Sequence, residues 1–321
     1  MKNNLSRRDF LRNSVVAGTG LLVTPSLWAL QDLANKGEFT KLTILYTNDW
    51  HSRIEPWPAS DPKNPNLGGA ARRSTFIKNV RAKEKNVLLL DAGDIFQGTP
   101  YFNFYGGELE YKLMSAMEYD ASTIGNHDFD NGLEGLLKQL PLASFDMINA
   151  NYDFSDTVLA KHSKIKPYKV FVKDGVKIGI FGVGVELEGL VSKAGYANTK
   201  YLDPLEKAAE LSYFLKNELK CDYVICLSHL GYSYKDKKIS DRVLAEESKN
   251  INLIIGGHTH TYLEKPTIMR NRDKKEIWVT QMGWAGLHMG RIDLFFSKKD
   301  NKIVGSESAA LLVDDELHSK A

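Results

Sequence analysis

Histidine, aspartate and asparagine side chains cluster directly after short apolar segments of this chain, and these side chains can bind divalent metal ions. Five of the eight histidines take part. Imidazole, carboxylate and amide oxygen suit Zn²⁺, Mn²⁺ or Fe²⁺, and the absence of thiolate speaks against a cysteine-based structural zinc site. The residue types therefore predict a metal site. The clusters are Asn48-Asp49-Trp50-His51, Asp91-Ala92-Gly93-Asp94, Gly125-Asn126-His127-Asp128, Ser228-His229 and Gly256-Gly257-His258-Thr259-His260.

Each cluster follows a predicted β-strand. In an open α/β sheet, residues just beyond the carboxyl ends of the strands converge on one crevice. Asp49-x-His51 by itself is more often a loop, and a lone His229 is more often a core or surface histidine. Their shared placement at strand ends nevertheless predicts one common site. The strands concerned are Leu42–Thr47, Val87–Leu90, Ala121–Ile124, Tyr223–Leu227 and Asn252–Ile255.

The rest of the pattern is also typical of an α/β protein, because short apolar runs alternate with helical periodicity. Asp174-Gly175 predicts a hairpin over Lys169–Phe181, which indicates mixed sheets. No linker interrupts Thr40 to Val313, so one compact catalytic domain is expected. The predicted helices are Ala70–Lys83, Glu108–Met117, Leu133–Gln139 and Leu205–Glu218. The further strands are Met147–Asn149, Ile277–Gln281, His288–Phe296 and Ser308–Val313.

The amino-acid composition argues against a nucleic-acid polymer as a partner. The formal net charge is only +2 over 321 residues, and the charges are interspersed, so no basic face for a nucleic-acid polymer is expected. Cys221 and Cys226 are the two cysteines. Both are expected to be buried apolar residues, and no disulfide is predicted.

The N-terminus has the composition of an export signal. Basic residues up to Arg12 precede an uncharged run from Asn13 to Gln31, which predicts a signal peptide over residues 1–30. Ser6–Leu11 resembles the twin-arginine signal, so the twin-arginine (Tat) export machinery is an expected partner and the periplasm an expected location. An uncleaved leader that anchors the protein in the membrane is the alternative.

The ordered motifs resemble those of the calcineurin-like metallophosphoesterase superfamily. The resemblance rests on Asp-x-His, Gly-Asp-x-x-x-Gly from Gly93 to Gly98, Gly-Asn-His-Asp, a later histidine, and Gly-His-x-His. It extends over about Thr40 to Val313 and implies a catalytic domain at residues 40–315. Four segments further resemble the 5'-nucleotidase branch: Thr47–Pro56, Gly68–Arg72, Gly125–Asp130 and Ser228–Gly231.

The resemblance implies a four-layer α-β-β-α sandwich with two mixed sheets. It also implies two divalent metal ions (Mn, Zn, Fe or Co), with Asp94 bridging them at the sheet edges. The first ion would be bound by Asp49, His51, Asp94 and His260. The second would be bound by Asp94, Asn126, His229 and His258.

The implied activity is hydrolysis of phosphate esters, with nucleotides as expected substrates. The two ions would lower the pKa of a shared water, and the resulting hydroxide would attack phosphorus. His127 resembles the residue that stabilises the transition state or protonates the leaving oxygen. Asp130 would hold its ring, with Asp128 as the competing partner. Asn126 and His127 would contact the substrate.

Several alternatives stay open. Larger superfamily members carry a second domain that stacks the nucleobase, and no C-terminal nucleotide-binding domain is expected in this chain. The chain could be the catalytic part of a split 5'-nucleotidase with a separate substrate-binding protein, or a broad-specificity phosphodiesterase. A non-enzymatic scaffold and sulfur-ester chemistry are weaker alternatives. Phe96–Tyr105 could stack a base or pack a helix, and Arg72 and Arg73 could touch phosphate or be solvated.

Overall fold

The computed structural model describes residues 38–321. The predicted export signal at residues 1–30 lies outside the described residues. Within 38–321, no helix has both the length and the apolar character needed to cross a bilayer.

Fifteen strands and seven α-helices form the described chain. The strands are β1 (Phe39–Thr47), β2 (Val87–Asp91), β3 (Ala121–Ser122), β4 (Asp146–Ile148), β5 (Tyr152–Asp153), β6 (Ile165–Lys166), β7 (Tyr168–Lys173), β8 (Val176–Gly184), β9 (Lys200–Tyr201), β10 (Tyr223–His229), β11 (Leu253–Gly256), β12 (Thr267–Arg270), β13 (Glu276–Thr280), β14 (His288–Ser297) and β15 (Ile303–Leu312). The helices are α1 (Ala70–Lys83), α2 (Pro100–Tyr105), α3 (Glu108–Ala116), α4 (Gly132–Gln139), α5 (Lys193–Tyr196), α6 (Pro204–Tyr213) and α7 (Asp241–Glu247).

Two mixed sheets contain most of the strands. Sheet A has seven strands in the order β15-β14-β1-β2-β3-β4-β6, and sheet B has six in the order β12-β13-β11-β10-β8-β7. In sheet A, β1, β2, β3, β4 and β6 run parallel, and β14 is antiparallel to β1 and β15. In sheet B, β8, β10, β11 and β13 run parallel, and β7 and β12 are antiparallel edge strands. The parallel strands of each sheet therefore bring their carboxyl ends to one edge.

Three buried apolar clusters show that the layers stack as helices, sheet A, sheet B and helices. Between the sheets, Ile44 of sheet A packs in one cluster with Ile225 of sheet B. Phe76 of α1 lies in the cluster on the outer face of sheet A. Leu211 of α6 and Leu244 of α7 lie in the cluster on the outer face of sheet B. The expected four-layer sandwich with two mixed sheets is confirmed.

Local sequence signals account for several boundaries. The Asp203 side chain accepts hydrogen bonds from the backbone N–H groups of Leu205 and Glu206 at the start of α6, as an N-cap residue does. Asp174 and Gly175 have φ values of 47° and 85° between β7 and β8, which suits a two-residue hairpin turn. Helix α1 has the predicted bounds.

Some predicted bounds differ from the structure. Helix α6 ends at Tyr213 and continues as a π-helical turn over Phe214–Glu218, whereas one helix was expected through Glu218. Strand β3 is two residues long, because the chain turns into the site after Ser122. Helices α2, α5 and α7 and strands β5, β6, β9 and β12 were not predicted. Cys221 and Cys226 are buried and free, as expected.

Candidate metal centre

The five predicted clusters lie together at the carboxyl ends of the parallel strands. Asp49 and His51 follow β1, and Asp94 follows β2. His229 is the last residue of β10, and His258 follows β11. Because both sheets present these ends at the same edge, side chains more than 200 residues apart in sequence become neighbours, and His51 Nε2 lies 3.0 Å from His260 Nε2.

One group of three side chains comprises Asp49, His51 and His260. Their ligand atoms all lie within 4.8 Å of one another. Asp49 Oδ1 is 3.3 Å from His260 Nε2 and 3.8 Å from His51 Nε2. Asp49 is fully buried, while His260 is partly exposed at the rim. A carboxylate with two imidazoles in this arrangement suits a transition-metal ion.

A second group comprises Asp94, His229 and His258, again with ligand atoms within 4.8 Å of one another. Asp94 Oδ2 is 3.0 Å from His229 Nε2. Asn126 joins this group, since its Oδ1 lies 2.7 Å from His258 Nδ1. The second set therefore also offers carboxylate, amide and imidazole ligands.

The two groups adjoin each other. Asp94 Oδ2 of the second group lies 3.9 Å from His51 Nε2 of the first. His229 Nε2 of the second group lies 4.0 Å from Asp49 Oδ1 of the first. The seven predicted ligands therefore form one continuous cluster, with Asp94 beside both groups.

His229 gives a direct test of whether a cation fits this cluster. Its Nδ1–H donates to the Ala92 carbonyl over 2.6 Å, which leaves Nε2 as an acceptor in the neutral ring. That nitrogen is buried and faces a second acceptor, since Asp94 Oδ2 lies 3.0 Å away. Two buried acceptors at this distance need a cation between them, either a proton or a metal ion. The residues present therefore fit a metal ion.

The backbone at these ligands is strained in a way that is common at functional sites. Asp49, His51, Asp94, His258 and His260 all have positive φ, between 48° and 75°. This left-handed region is unfavourable for residues other than glycine, although Asp and His tolerate it better than most. The surrounding hydrogen bonds stabilise this strained backbone, and the strained backbone directs several candidate ligands into one crevice.

Two glycines permit the close approach of the ligand loops. A Cβ atom on Gly125 would lie 2.2 Å from Asp94 Oδ1, and one on Gly257 would lie 2.7 Å from His229 Nδ1. No larger residue fits at either position without moving a predicted ligand. The glycines therefore matter here for space rather than for loop flexibility.

His127 stands at the open side of the cluster. Its Nδ1 lies 2.8 Å from Asp130 Oδ2, and its ring centroid lies 5.2 Å from that of His51. The hydrogen bond to Asp130 raises the His127 pKa, against the effect of partial burial. Asp128 points inward instead, where its carboxylate accepts from the backbone N–H groups of Ile95 and Gly125. Asp130 is thus the residue that contacts the His127 ring.

Comparison with known proteins agrees with this geometry. Residues 42–262 match the family model described as calcineurin-like phosphoesterase. The chain belongs to this family. It is 33% identical over 315 residues to a snake venom 5'-nucleotidase of Crotalus adamanteus, covering 92% of this chain and 52% of that protein. It is 31% identical over 296 residues to a 5'-nucleotidase of Homo sapiens, covering 86% and 50%.

A solved structure gives the same result. The 5'-nucleotidase precursor from Thermus thermophilus matches with a TM-score of 0.78 and 33% identity, over 86% of this chain and 55% of that one. The chain spans about half the length of the curated relatives it matches. The region that matches the family model contains the whole ligand cluster described above.

Burial and neighbouring charges shift the pKa values of two candidate metal ligands in this calcineurin-like phosphoesterase. Burial would lower the pKa of the His229 imidazole, but the carboxylates of Asp94 and Asp49 raise it to about 10. Burial and the neighbouring His229 lower the pKa of His258 to about 4. A proton on His229 thus balances buried carboxylate charge, and a divalent cation bound there would displace that proton.

The sequence interpretation missed several residues around the site. Asn48 Nδ2 donates to the Gly283 carbonyl over 2.7 Å, and Ala285 N–H donates to the Asp49 carbonyl over 2.7 Å. Trp284 stacks on His260 with 5° between the ring planes. The missed residues are Gly283, Trp284 and Ala285, in the turn that follows β13. Residues after a strand end had identified the other clusters, so the same rule applied to this turn. It was missed because the turn has no typical metal ligand.

The two arginines and the first part of the aromatic stretch have structural roles in this family member. Arg73 is fully buried, with its guanidinium 4.3 Å from the centroid of the Trp50 ring, so it is neither solvated nor placed as a surface phosphate ligand. Arg72 forms an ion pair with Asp315. Phe96 packs in the core against Phe102, which supports the helix-packing interpretation for that part of the stretch.

Proposed function

We propose that the protein is a dinuclear-metal-dependent phosphoester hydrolase that acts in the manner of a 5'-nucleotidase. The observation that carries this proposal is that two adjoining three-residue ligand groups share one crevice with His127. The family match and the 5'-nucleotidase relatives support the same reaction class.

The proposed ligands are those expected from the resemblance. Asp49, His51 and His260 would bind one ion, and His229, His258 and Asn126 the other, with Asp94 shared. The distances from Asp94 Oδ2 to His229 Nε2 and to His51 Nε2 support this sharing. When bound, the ions would supply a nucleophile at neutral pH and neutralise charge on the phosphate oxygens.

His127 is proposed as the catalytic residue that serves the leaving group. Because Asp130 accepts from Nδ1, Nε2 is the nitrogen left to donate a hydrogen bond or proton to the leaving oxygen. About a third of the His127 side chain is exposed, 35%, so a substrate can reach it. Asn126, beside it in the chain, would contact the phosphate as well as a metal ion. Asp130 acts through His127 and is a positioning residue.

The experiment is a hydrolysis screen with purified protein loaded with Mn²⁺, Zn²⁺ or Co²⁺. Nucleoside monophosphates, cyclic nucleotides, sugar nucleotides and 4-nitrophenyl esters are the substrates. Metal-dependent release of phosphate that chelation abolishes and His127→Ala strongly reduces supports the proposal. Protein that binds two equivalents of metal but hydrolyses none of these esters would contradict it.

A separate nucleoside-binding polypeptide is a further part of the proposal. Phe104 and Tyr105 are adjacent on α2 and are 82% and 52% exposed. They follow the loop from Asp94 to Gly98 in the sequence, and an exposed pair of aromatic side chains suits contact with a partner. The same screen tests this with AMP, because poor turnover of AMP by this chain that rises only when a second, nucleoside-binding polypeptide is added supports the proposal. Efficient turnover of AMP by the isolated chain contradicts it.

Export through the twin-arginine route is proposed from Arg7 and Arg8. These residues direct recognition by the export machinery rather than membrane anchoring. Replacing both by lysine in the full chain should leave the protein in the cytoplasm of a bacterial host, whereas the unchanged chain should appear in the periplasm. Export of the double variant at the normal level would contradict the route.

A further inference from the structure

Trp284 is a partly exposed aromatic side chain at the edge of the ligand cluster. Its indole lies parallel to the His260 imidazole, with the ring centroids 5.3 Å apart. It meets His51 edge-on, with the centroids 6.4 Å apart. Despite these contacts, 38% of its surface stays exposed. A large ring exposed beside a polar site offers a surface for a ligand group that is itself flat and apolar.

The turn that carries Trp284 is fixed to the ligand loop on both sides. Asn48 Nδ2 donates to the carbonyl of Gly283, the residue before it, and the N–H of Ala285, the residue after it, donates to the Asp49 carbonyl, both over 2.7 Å. The backbone on both sides of Trp284 is therefore fixed relative to Asp49, and the contacts of the indole with His260 and His51 restrict its rotation. A preorganised surface of this kind binds a ligand without first losing conformational freedom.

A second tryptophan extends the surface away from the metal ligands. The Trp57 ring lies edge-on to Trp284, with centroids 5.8 Å apart. The Arg53 guanidinium lies 4.0 Å from the centroid of the Trp57 ring, a cation–π contact that holds Trp57 in place. We call Trp284 and Trp57 the aromatic strip. Its inner residue, Trp284, contacts His260, and its outer residue, Trp57, contacts Trp284 on the side away from the ligand cluster.

We infer that Trp284 contacts the leaving group of the substrate and that the site prefers phosphate esters whose leaving group carries a planar aromatic ring. The inference rests on the proposed function, in which the leaving group lies beside His127. The His51 ring neighbours both His127 and Trp284, with centroids 5.2 Å and 6.4 Å apart, so a leaving group that carries a ring can extend from His127 past His51 to Trp284. An aromatic leaving group gains a stacking contact with the indole that an alkyl group lacks. The competing role for Trp284 is to hold the ring of His260 and nothing more.

A binding measurement on the full, Mn²⁺-loaded protein separates these roles. The probes are phenylphosphonate and methylphosphonate, which share the phosphonate group and differ in the ring. Calorimetry gives the ratio of their dissociation constants for the unchanged protein and for Trp284→Ala, Trp284→Leu and Trp284→Phe. Tyr213→Ala is the matched control, because Tyr213 is an exposed aromatic residue, 57%, on α6 in the outer layer beside sheet B.

The unchanged protein should prefer phenylphosphonate. The preference should fall by at least about threefold in Trp284→Ala and Trp284→Leu, the loss expected for one aromatic contact, and should persist in Trp284→Phe. Tyr213→Ala should keep it. Leucine keeps much of the side-chain volume but has no aromatic ring. The leucine variant therefore tests the contribution of the ring even if the alanine variant does not fold.

Three results would overturn the inference. The first is the absence of any preference in the unchanged protein. The second is an unchanged preference in both the alanine and leucine variants. The third is an equal loss of both phosphonates with weaker Mn²⁺ binding, which would show that Trp284 only supports His260. Because no turnover is measured, a protein that prefers phenylphosphonate but hydrolyses no ester refutes the proposed function and not this inference.

Discussion

His229 donates from Nδ1 to the carbonyl oxygen of Ala92 over 2.6 Å, and Ala92 lies two residues before Asp94 in the same turn. The strand end of sheet B is thereby tied to the loop after β2 of sheet A. This bond fixes the tautomer and orientation of the imidazole, so its second nitrogen faces the ligand cluster. One hydrogen bond thus joins the two sheets at the site.

Asp94→Asn should remove most of the metal binding. Asp94 Oδ2 lies within 4 Å of both His229 Nε2 and His51 Nε2, and loss of its charge weakens the attraction for both ions. Affinity should fall by more than about tenfold, since even residues that only support ligands contribute that much. Titration with Mn²⁺ by calorimetry measures this. Asp146→Asn, at a carboxylate away from the cluster, should bind metal normally, and equal affinity in both variants would rule out the ligand role of Asp94.

Gly125→Ala should disrupt the site by steric conflict alone. The added Cβ would lie 2.2 Å from Asp94 Oδ1 and 2.5 Å from the Asp94 backbone nitrogen, so the loop after β2 must move. Metal binding and turnover should both be lost. Gly189→Ala is a stringent control, because its added Cβ meets no atom within 4 Å and its φ of +80° imposes a backbone strain that Gly125 does not have. It should bind metal normally. Normal metal binding in the Gly125 variant would show that the loop can relax.

His127→Ala should slow turnover without removing the metal ions. General acid catalysis by a positioned side chain contributes about 10²- to 10⁴-fold, and His127 makes no part of either ligand group. Steady-state kinetics together with metal analysis of the same sample measures both effects. A variant that has lost its metal would show that His127 supports the ligands instead.

Asp130→Ala should give a smaller loss of turnover than His127→Ala. The Asp130 carboxylate orients the His127 ring from 2.8 Å but does not itself reach the leaving group. Asp130→Asn should retain more activity than Asp130→Ala, because an amide oxygen can still accept from Nδ1. The ratio of kcat values for these variants provides the measurement, and equal values for Asn and Ala would remove this hydrogen bond from the mechanism.

Arg73→Met should change the free energy of unfolding little, whereas Arg73→Ala should lower it by about 2–5 kcal/mol, the range found when large buried side chains are truncated. The Arg73 guanidinium forms no ion pair with a described residue, and burial lowers its pKa more than the nearby Tyr119 and Asp91 raise it. An apolar chain of similar length keeps the packing on Trp50 and avoids burial of the charge, so it often matches the stability of the charged residue. Urea unfolding measures both variants. A large loss with methionine would show that the charge itself stabilises the fold.

Stability should depend on pH through Asp146. Partial burial raises the pKa of its carboxyl, but hydrogen bonds from Lys169 and Lys166 more than offset this, so the pKa lies below its ordinary value in the folded state. A lowered folded pKa contributes stability that is present above the unfolded pKa of about 3.9 and is lost as pH falls through the folded value. The difference in unfolding free energy between the unchanged protein and Asp146→Asn should therefore have its full size near pH 6 and decrease below about pH 4. A difference that is constant with pH would exclude this ion pair as its source.

The sequence by itself determined the chemical character of the site. The predicted strands at Leu42–Thr47 and Val87–Leu90 are real, and the types and order of the residues that follow them identified the family. This worked because alternation, glycine turns and strand ends are local features that a single chain reveals. Asp203-Pro204 marks the start of α6 and Asp174-Gly175 forms a hairpin turn, as the local chemistry of these residue pairs predicts.

Only the tertiary structure decided which side chains meet. The grouping of Asp49 with His260, more than 200 positions later, depends on β1 and β11 belonging to different sheets whose edges come together. The burial of Arg73 against Trp50 and the stacking of Trp284 on His260 depend on the same packing. Local periodicity contains no information on such distances, because they arise from how sheets and helices stack across the core.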